Sequence, residues 1–169
     1  IEEDLHVFLR NRILEPLDIE EMVAENWETT QLPEAQGYVL FEGQRLSPEV
    51  NHSGKLATGG YMARAADLVR FLDRVVSKNL LTEAERQVLF TRQRTSDGAE
   101  TNVGLGWVVD QDADGRTYVH KGGQIVGGRT IVLTYREERI SVAICCNETF
   151  APFGRAEALS LASLFLKDQ

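Results

Sequence analysis

The chain has 169 residues, 43% of them apolar and 26% charged, and its 18 Lys and Arg against 26 Asp and Glu leave a formal net charge of −8. The length suggests one domain, since domains commonly run about 100–200 residues, and a chain of this size buries roughly 68–70% of the surface its unfolded form exposes. The balance is that of a globular protein rather than a disordered, collagen-like or disulfide-stapled one; an acidic chain without a Lys/Arg cluster is a poor partner for nucleic acid.

In chain order, Leu5, Phe8, Leu9 and Ile13 recur at helical spacing and predict a helix over residues 1–14. Pro16 is expected to end it by disfavouring the helical conformation at Glu15. The chain starts at Ile1, without Met, directly in a helical pattern, which reads as a piece whose natural start lies upstream. Residues 17–35 look irregular, with Trp27 as a local anchor. Residues 37–46 suggest a short strand or hairpin arm around Tyr38, Leu40 and Phe41. Residues 51–60, rich in Asn, Ser, Thr and Gly, read as a loop.

A strongly amphipathic helix is predicted from about Tyr61 to Val76. Ala65, Leu68, Val69, Leu72, Val75 and Val76 share one face, and Arg64, Arg70 and Asp73 lie outside it. Asp67 on this helix reads as a surface acid or, better, as a buried partner of nearby backbone. Thr82-Glu83-Ala84-Glu85 fits a capping box opening a second, shorter helix.

The period then changes from helical to alternating. Residues 103–110 predict a strand, 111–115 a hairpin loop and 116–120 its partner strand. Residues 129–135 and 139–146 form a second hairpin around Glu137-Glu138. Ile140, Val142 and Ile144 alternate there with the small Ser141, Ala143 and Cys145, so something should pack on both faces. Residues 153–167 predict a closing helix with Leu159, Ala162 and Leu166, flanked by Leu161, Leu164 and Phe165. The fold class is therefore α+β, an antiparallel sheet with flanking helices. No apolar run approaches ~18 residues, so no membrane-spanning helix is expected.

Most single features have ordinary readings. The glycines of Gly122-Gly123-Gln124-Ile125-Val126-Gly127-Gly128 lack the Lys-Ser/Thr that a phosphate loop needs and follow a strand rather than opening a helix. His6, His52 and His120 lack metal-ligand spacing, so no metal and no cofactor is implied; His6 reads as a helix-surface residue and His52 as a loop residue. The adjacent Cys145 and Cys146 point to opposite faces of a strand, which makes a disulfide between them improbable and suggests two small residues on a buried strand.

The combination says more. Gly59-Gly60, the helix start Ala63-Arg64-Ala65-Ala66-Asp67-Leu68, Gly104-Leu105-Gly106-Trp107, His120-Lys121-Gly122-Gly123 with Gly127-Gly128, and Ile144-Cys145-Cys146-Asn147 occur in this order. With Ile13-Leu14-Glu15-Pro16-Leu17 near the start, they resemble the successive phrases of the serine beta-lactamase-like family, which includes class C beta-lactamases, D,D-peptidases and related esterases. Ala63-Arg64 departs from the usual Ser-Thr, and Asp18-Ile19 from the usual Gly-Met.

The resemblance implies a beta-lactamase/transpeptidase-like fold and acyl-enzyme chemistry. His120 to Gly123 match the family's third active-site box. The Gly123 amide would be one of two donors to the developing oxyanion, a group worth about 2.7–4 kcal/mol of barrier. Lys121 and Gly122 would line the substrate. His120, in the place Lys holds in many relatives, could hydrogen-bond a catalytic Tyr or orient substrate, and could change charge near neutral pH. Asp67, Gly104, Gly106, Trp107 and Asn147 match structural phrases.

The family's nucleophile box, Ser-x-x-Lys, and its Tyr-x-Asn loop are absent. None of Ser47, Ser53, Ser77, Ser96, Ser141, Ser160 and Ser163 has Lys three residues on, and none of the four tyrosines has Asn two residues on. In the family those boxes precede the position matching Ile1. Residues 1–169 are thus expected to be the C-terminal part of such a domain, inactive alone, with a small-molecule or peptide substrate in the intact parent. A fold-retaining binding or regulatory protein is the alternative. A homodimer through surface left uncovered is expected, and the resemblance leans toward an extracytoplasmic or periplasmic location.

Overall fold

The computed structural model describes residues 4–25, 35–77 and 80–166. Asp4 caps the first helix, its carboxylate accepting from the His6 amide at 3.3 Å. From α1 (Leu5–Leu9) the chain winds on through a wider turn at Arg10–Leu14 and a tighter one at Glu15–Leu17. The expected stop at Glu15 does not occur: Glu15 keeps helical angles, and winding ends at Asp18, φ 56°. Pro16 is tolerated because it opens a new tight turn, where no N–H is needed from it. Residues 17–35 are not irregular throughout, since β1 (Val23–Ala24) pairs with a later strand. Trp27 lies outside the described residues.

The hairpin arm is present as β2 (Val39–Phe41) and β3 (Gln44–Leu46), joined by Glu42 and Gly43. Both turn residues have positive φ, 48° and 78°, as a two-residue hairpin turn matched to strand twist requires. The next segment corrects the predicted helix start. Tyr61 and Met62 form β4 (Tyr61–Met62), paired antiparallel with β1, and α2 (Ala65–Val76) begins only after Arg64. Arg64, at the N-cap, makes no side-chain capping bond. In α3 (Glu83–Phe90) the capping box is formed: the Thr82 hydroxyl accepts from the Glu85 amide at 3.3 Å, and Glu85 accepts from the Thr82 amide at 2.7 Å.

One antiparallel sheet follows, with β5 (Val108–Gln111), β6 (Thr117–Ile125), β7 (Gly128–Tyr135) and β8 (Ile140–Cys146) in that spatial order. β5 starts later than predicted, because residues 103–107 fold into a turn instead. Gly106 has φ 79°, and a Cβ on Gly104 would lie 2.6 Å from the Leu89 carbonyl oxygen. β6 does not stop at His120. It continues through Gly122 and Gly123 to Ile125 and turns at Val126-Gly127 (Gly127 φ 84°) into β7. Glycines inside a strand permit close approach as well as turns.

Side chains alternate across this sheet, and elements pack on both of its faces. On one face, Tyr118, Ile131, Leu133, Tyr135 and Val142 pack with Ala158 and Ala162 of α4 (Arg155–Ser163). On the other, Val109 and Val119 pack with Val75 of α2 and Phe90 of α3. Leu14, Leu17 and Ile19 form a third cluster against Tyr61 and Phe71. Fully burying one such side chain is worth about 1.5–3 kcal/mol, and two of the three clusters are built on the sheet.

The closing helix ends at Ser163, short of the predicted boundary, and Lys167 lies outside the described residues. Leu159 and Leu166 pack on the core as expected, but Leu161, Leu164 and Phe165 are exposed. Cys145 is also exposed rather than buried, because its face of β8 is incompletely covered; both cysteines are free. Among the described residues, no helix is long and apolar enough to cross a membrane.

Candidate active site

The third-box residues sit where β6 changes surroundings. Residues 118–120 pair with β5 on one side and β7 on the other, while 121–125 pair with β7 alone. Lys121, Gly122, Gly123 and Gln124 are exposed. In a strand, backbone groups point alternately to either side, so this half presents unpaired backbone along an open edge among the described residues. A Cβ on Gly123 would meet nothing within 4 Å, and one on Gly122 would touch only the Ile131 side chain, at 3.5 Å, and the Thr130 carbonyl, at 3.8 Å.

His120 lies at the boundary with its side chain 12% exposed. Its Nε2 is 3.3 Å from Asp110 Oδ2, which also accepts from Arg155 Nη1 at 2.8 Å. Asn102 reaches Asp110 Oδ1 at 3.5 Å, the outer limit of a hydrogen bond. The Tyr118 ring lies beside the imidazole, with centroids 5.7 Å apart. Burial pushes the His120 pKa below its ordinary value, and Asp110 only partly offsets this. Burial thus disfavours the charged form of the ring, while Asp110 favours it. For Asp110, burial raises the pKa most, but the bonds with His120, Asn102 and Arg155 together outweigh it and hold the carboxyl below the usual range. His120 Nδ1 is buried and has no hydrogen-bond partner among the described residues.

Sequence reading missed both Asp110 and Arg155. Asp110 had a usable signal: it pairs with Tyr118, two residues from His120 and on the same face, so the two are diagonal neighbours once the 111–115 turn sets the register. Arg155 had none, because α4 meets the sheet only through tertiary packing. His52 also does more than a loop residue would. Its Nε2 is 3.0 Å from the Val126 carbonyl and its amide donates to Glu25 at 3.0 Å, which ties residues 51–60 to the turn beyond Gly123.

The other matched residues act as braces. Asp67 is buried, but its partner is the Arg70 guanidinium at 2.9 Å rather than backbone, and its second carboxylate oxygen has no partner among the described residues. Gly104 donates its amide to the Trp107 carbonyl at 2.7 Å, and the Trp107 ring stands 5.9 Å from Phe90. Asn147 donates to the Gln36 carbonyl at 2.8 Å and accepts from the Tyr38 amide at 2.7 Å. Thr149 accepts from the Gly127 amide at 2.7 Å, so these bonds hold residues 36–38 against the end of the β6–β7 hairpin.

A shallow cavity of about 320 Å³ is lined by Val76, Glu83, Arg86, Gln87, Thr117, Arg136 and Glu137 and includes none of the third-box residues. Among the described residues, no group of His, Cys, Asp or Glu could hold a metal ion. What the described residues offer chemically is an open strand edge with bare glycine backbone, beside a carboxylate-held imidazole.

Known proteins share this fold. The fold matches a D-stereospecific amidohydrolase from Streptomyces sp. at 21% identity and TM-score 0.70, over 95% of this chain and 48% of that one. It matches a penicillin binding protein from Bacillus halodurans at 19% and 0.73, over 95% and 49%. It also matches an octameric penicillin-binding protein homologue from Pyrococcus abyssi at 18% and 0.74, over 95% and 37%. The chain thus spans about half the length of the first two and less of the third. No curated protein sequence matches it. The family model for beta-lactamase matches residues 2–166, almost the whole chain, and the chain belongs to the beta-lactamase family.

Proposed function

We propose that residues 1–169 form the C-terminal part of a serine hydrolase domain of the beta-lactamase, D,D-peptidase or esterase type, and that the chain alone is inactive. The observation that carries this is the open half of β6. Lys121-Gly122-Gly123 stands exposed at an edge that β5 leaves unpaired, and no Ser-x-x-Lys or Tyr-x-Asn occurs anywhere in the sequence. Gly123 supplies an oxyanion-hole amide, and its missing side chain leaves room for a carbonyl substrate against the strand. Lys121 and Gly122 contact that substrate, and His120 is the box's first residue. Asp67, Gly104, Gly106, Trp107 and Asn147 are structural. The attacking serine and its base come from polypeptide encoded upstream of Ile1. The substrate is a small molecule or peptide with a beta-lactam, amide or ester carbonyl.

Two surfaces support association of two copies: Leu40, Phe41 and Leu46 on the hairpin, and Leu161, Leu164 and Phe165 beside α4. Light scattering tests this, and a mass that stays monomeric at high concentration would sink it.

The test of function is incubation of the purified chain with a chromogenic beta-lactam and an activated ester, followed by intact mass spectrometry. No turnover and no adduct are expected from the chain alone, and turnover is expected on mixing with the upstream polypeptide. An acyl adduct on one of the seven serines, with turnover abolished by changing it to Ala, would overturn the proposal. So would an upstream sequence lacking Ser-x-x-Lys.

A further inference from the structure

His120 is held from one side only. Asp110 Oδ2 faces its Nε2 at 3.3 Å, while Nδ1 is buried without a partner among the described residues. Asp110 has its own support: Arg155 Nη1 at 2.8 Å from α4, and Asn102 Nδ2 at 3.5 Å from the segment before β5. A carboxylate with a guanidinium on the same oxygen stays ionised, and an ionised carboxylate only accepts hydrogen bonds. The imidazole nitrogen facing it must therefore carry the proton. In a neutral ring the other nitrogen is then a bare lone pair.

The charged and titratable groups that face the ring are Asp110 on β5, Arg155 on α4 and Tyr118 on β6 itself. None of them reaches Nδ1 with a hydrogen bond among the described residues. A buried acceptor left open is an exception among buried polar groups. This one lies on the residue immediately before Lys121-Gly122-Gly123.

We propose that Asp110, braced by Arg155 and Asn102, is a positioning residue. It fixes His120 as the Nε2–H tautomer and so presents bare Nδ1 as an acceptor for an O–H or N–H donor of the assembled acyl-transfer site. The importance of that acceptor rests on the proposed hydrolase function; the tautomer itself does not. Fixing an imidazole by a hydrogen bond to its far nitrogen is a general way to set which nitrogen is available for chemistry. Burial, which disfavours the charged ring, acts in the same direction.

The experiment is a long-range ¹H–¹⁵N correlation spectrum of the 169-residue chain at pH 7.5, with ¹⁵N-labelled histidine. The His120 signals are assigned by their loss in His120→Gln. We expect one tautomer, with Nε2 protonated and Nδ1 of the bare, pyridine type. Asp110→Asn removes the charge that enforces this, so the tautomers mix and the ring titrates at lower pH. Asp114→Asn, at an exposed acid of the same hairpin loop that pairs with Arg116, leaves the His120 signals unchanged.

A wild-type spectrum with protonated Nδ1 and bare Nε2 overturns the proposal, as does an Asp110→Asn spectrum identical to wild type. If Asp110→Asn fails to fold, the wild-type tautomer still decides, and Arg155→Gln replaces it as the variant expected to loosen the preference. A correct tautomer in a chain whose reconstituted parent shows no acyl transfer removes the hydrolase reading alone. The opposite tautomer in an active parent removes this inference alone.

Discussion

Residues 118–120 of β6 have strands on both sides and helices over both faces, whereas residues 121–125 have β7 on one side, and 121–124 are exposed. Tyr118 and Val119 are 2% and 1% exposed, and five residues later the strand contains nothing a new methyl group would touch. A single run of extended backbone is thus core at one end and an exposed edge at the other. The difference lies in β5, which is only four residues long and reaches no further along β6 than His120. His120, at the junction, has a side chain held by the packed half and a backbone leading into the open one.

This contrast can be tested by substitutions along the strand pair, beginning with the largest expected effect. Leu133 pairs with His120 from β7 and is 0% exposed. Leu133→Ala should lower unfolding free energy by about 2–5 kcal/mol in urea denaturation, through lost burial and the cavity left behind. A loss below about 1 kcal/mol would show that this half is loosely packed.

Lowering the pH probes the junction. The His120 pKa is depressed in the folded state, so the unfolded chain binds more protons over the interval between the two values. Its contribution to stability is full above the unfolded value, about 6.5, and is lost as pH falls through the folded value. Asp110 and Asp112, both held below their ordinary range, contribute above about 3.9 and lose that contribution only at lower pH. Stability should therefore decline in two stages on acidification, and the upper stage should be smaller in His120→Gln. An identical profile in that variant would remove the burial argument for His120.

The smallest effect is expected in the open half. Gly123 is not in the left-handed region, and its Cβ would meet empty space. Gly123→Ala should leave stability unchanged or raise it by about 0.4–1 kcal/mol, by restricting the unfolded chain. Loss of more than ~1 kcal/mol would mean that the edge is packed after all. Reduced acyl transfer in the reconstituted parent, with stability intact, would show that the glycine serves substrate rather than fold.

Local rules exposed the regular parts of this molecule. Alternation over Ile140–Cys146 and the Thr82–Glu85 box each depend on neighbours in sequence, and both are present. The departures occur where distant residues decide. Tyr61 and Met62 carry helical patterning yet pair with Val23 and Ala24, so α2 begins late. Gly122 and Gly123 lie beyond the strand expected over residues 116–120, but β7 supplies a full register of partners and keeps them extended. Cys145, Leu164 and Phe165 look like core because they are apolar, and their exposure depends on what lies opposite. In the candidate site the box itself was legible as a phrase. Asp110 was recoverable from hairpin register, and Arg155 was not, since only packing of α4 brings it to Asp110.

The contact between residues 36–38 and the far end of the sheet has a consequence in time. Gly37 and Gly127 approach so closely that a Cβ on Gly37 would lie 2.7 Å from the Gly127 Cα, and Asn147 reaches back 111 residues to Gln36. The β6–β7 and β7–β8 hairpins close over a few residues each. Closing a longer loop costs more chain entropy, and distant contacts form more slowly. The sheet should therefore assemble first, the strap at 36–38 should dock onto it last, and on opening the strap should release first. Hydrogen exchange reads this order directly: the Tyr38 amide, bonded to Asn147, should exchange through a cheaper opening than that of Leu133, and equal protection at the two would mean that strap and sheet open as one unit.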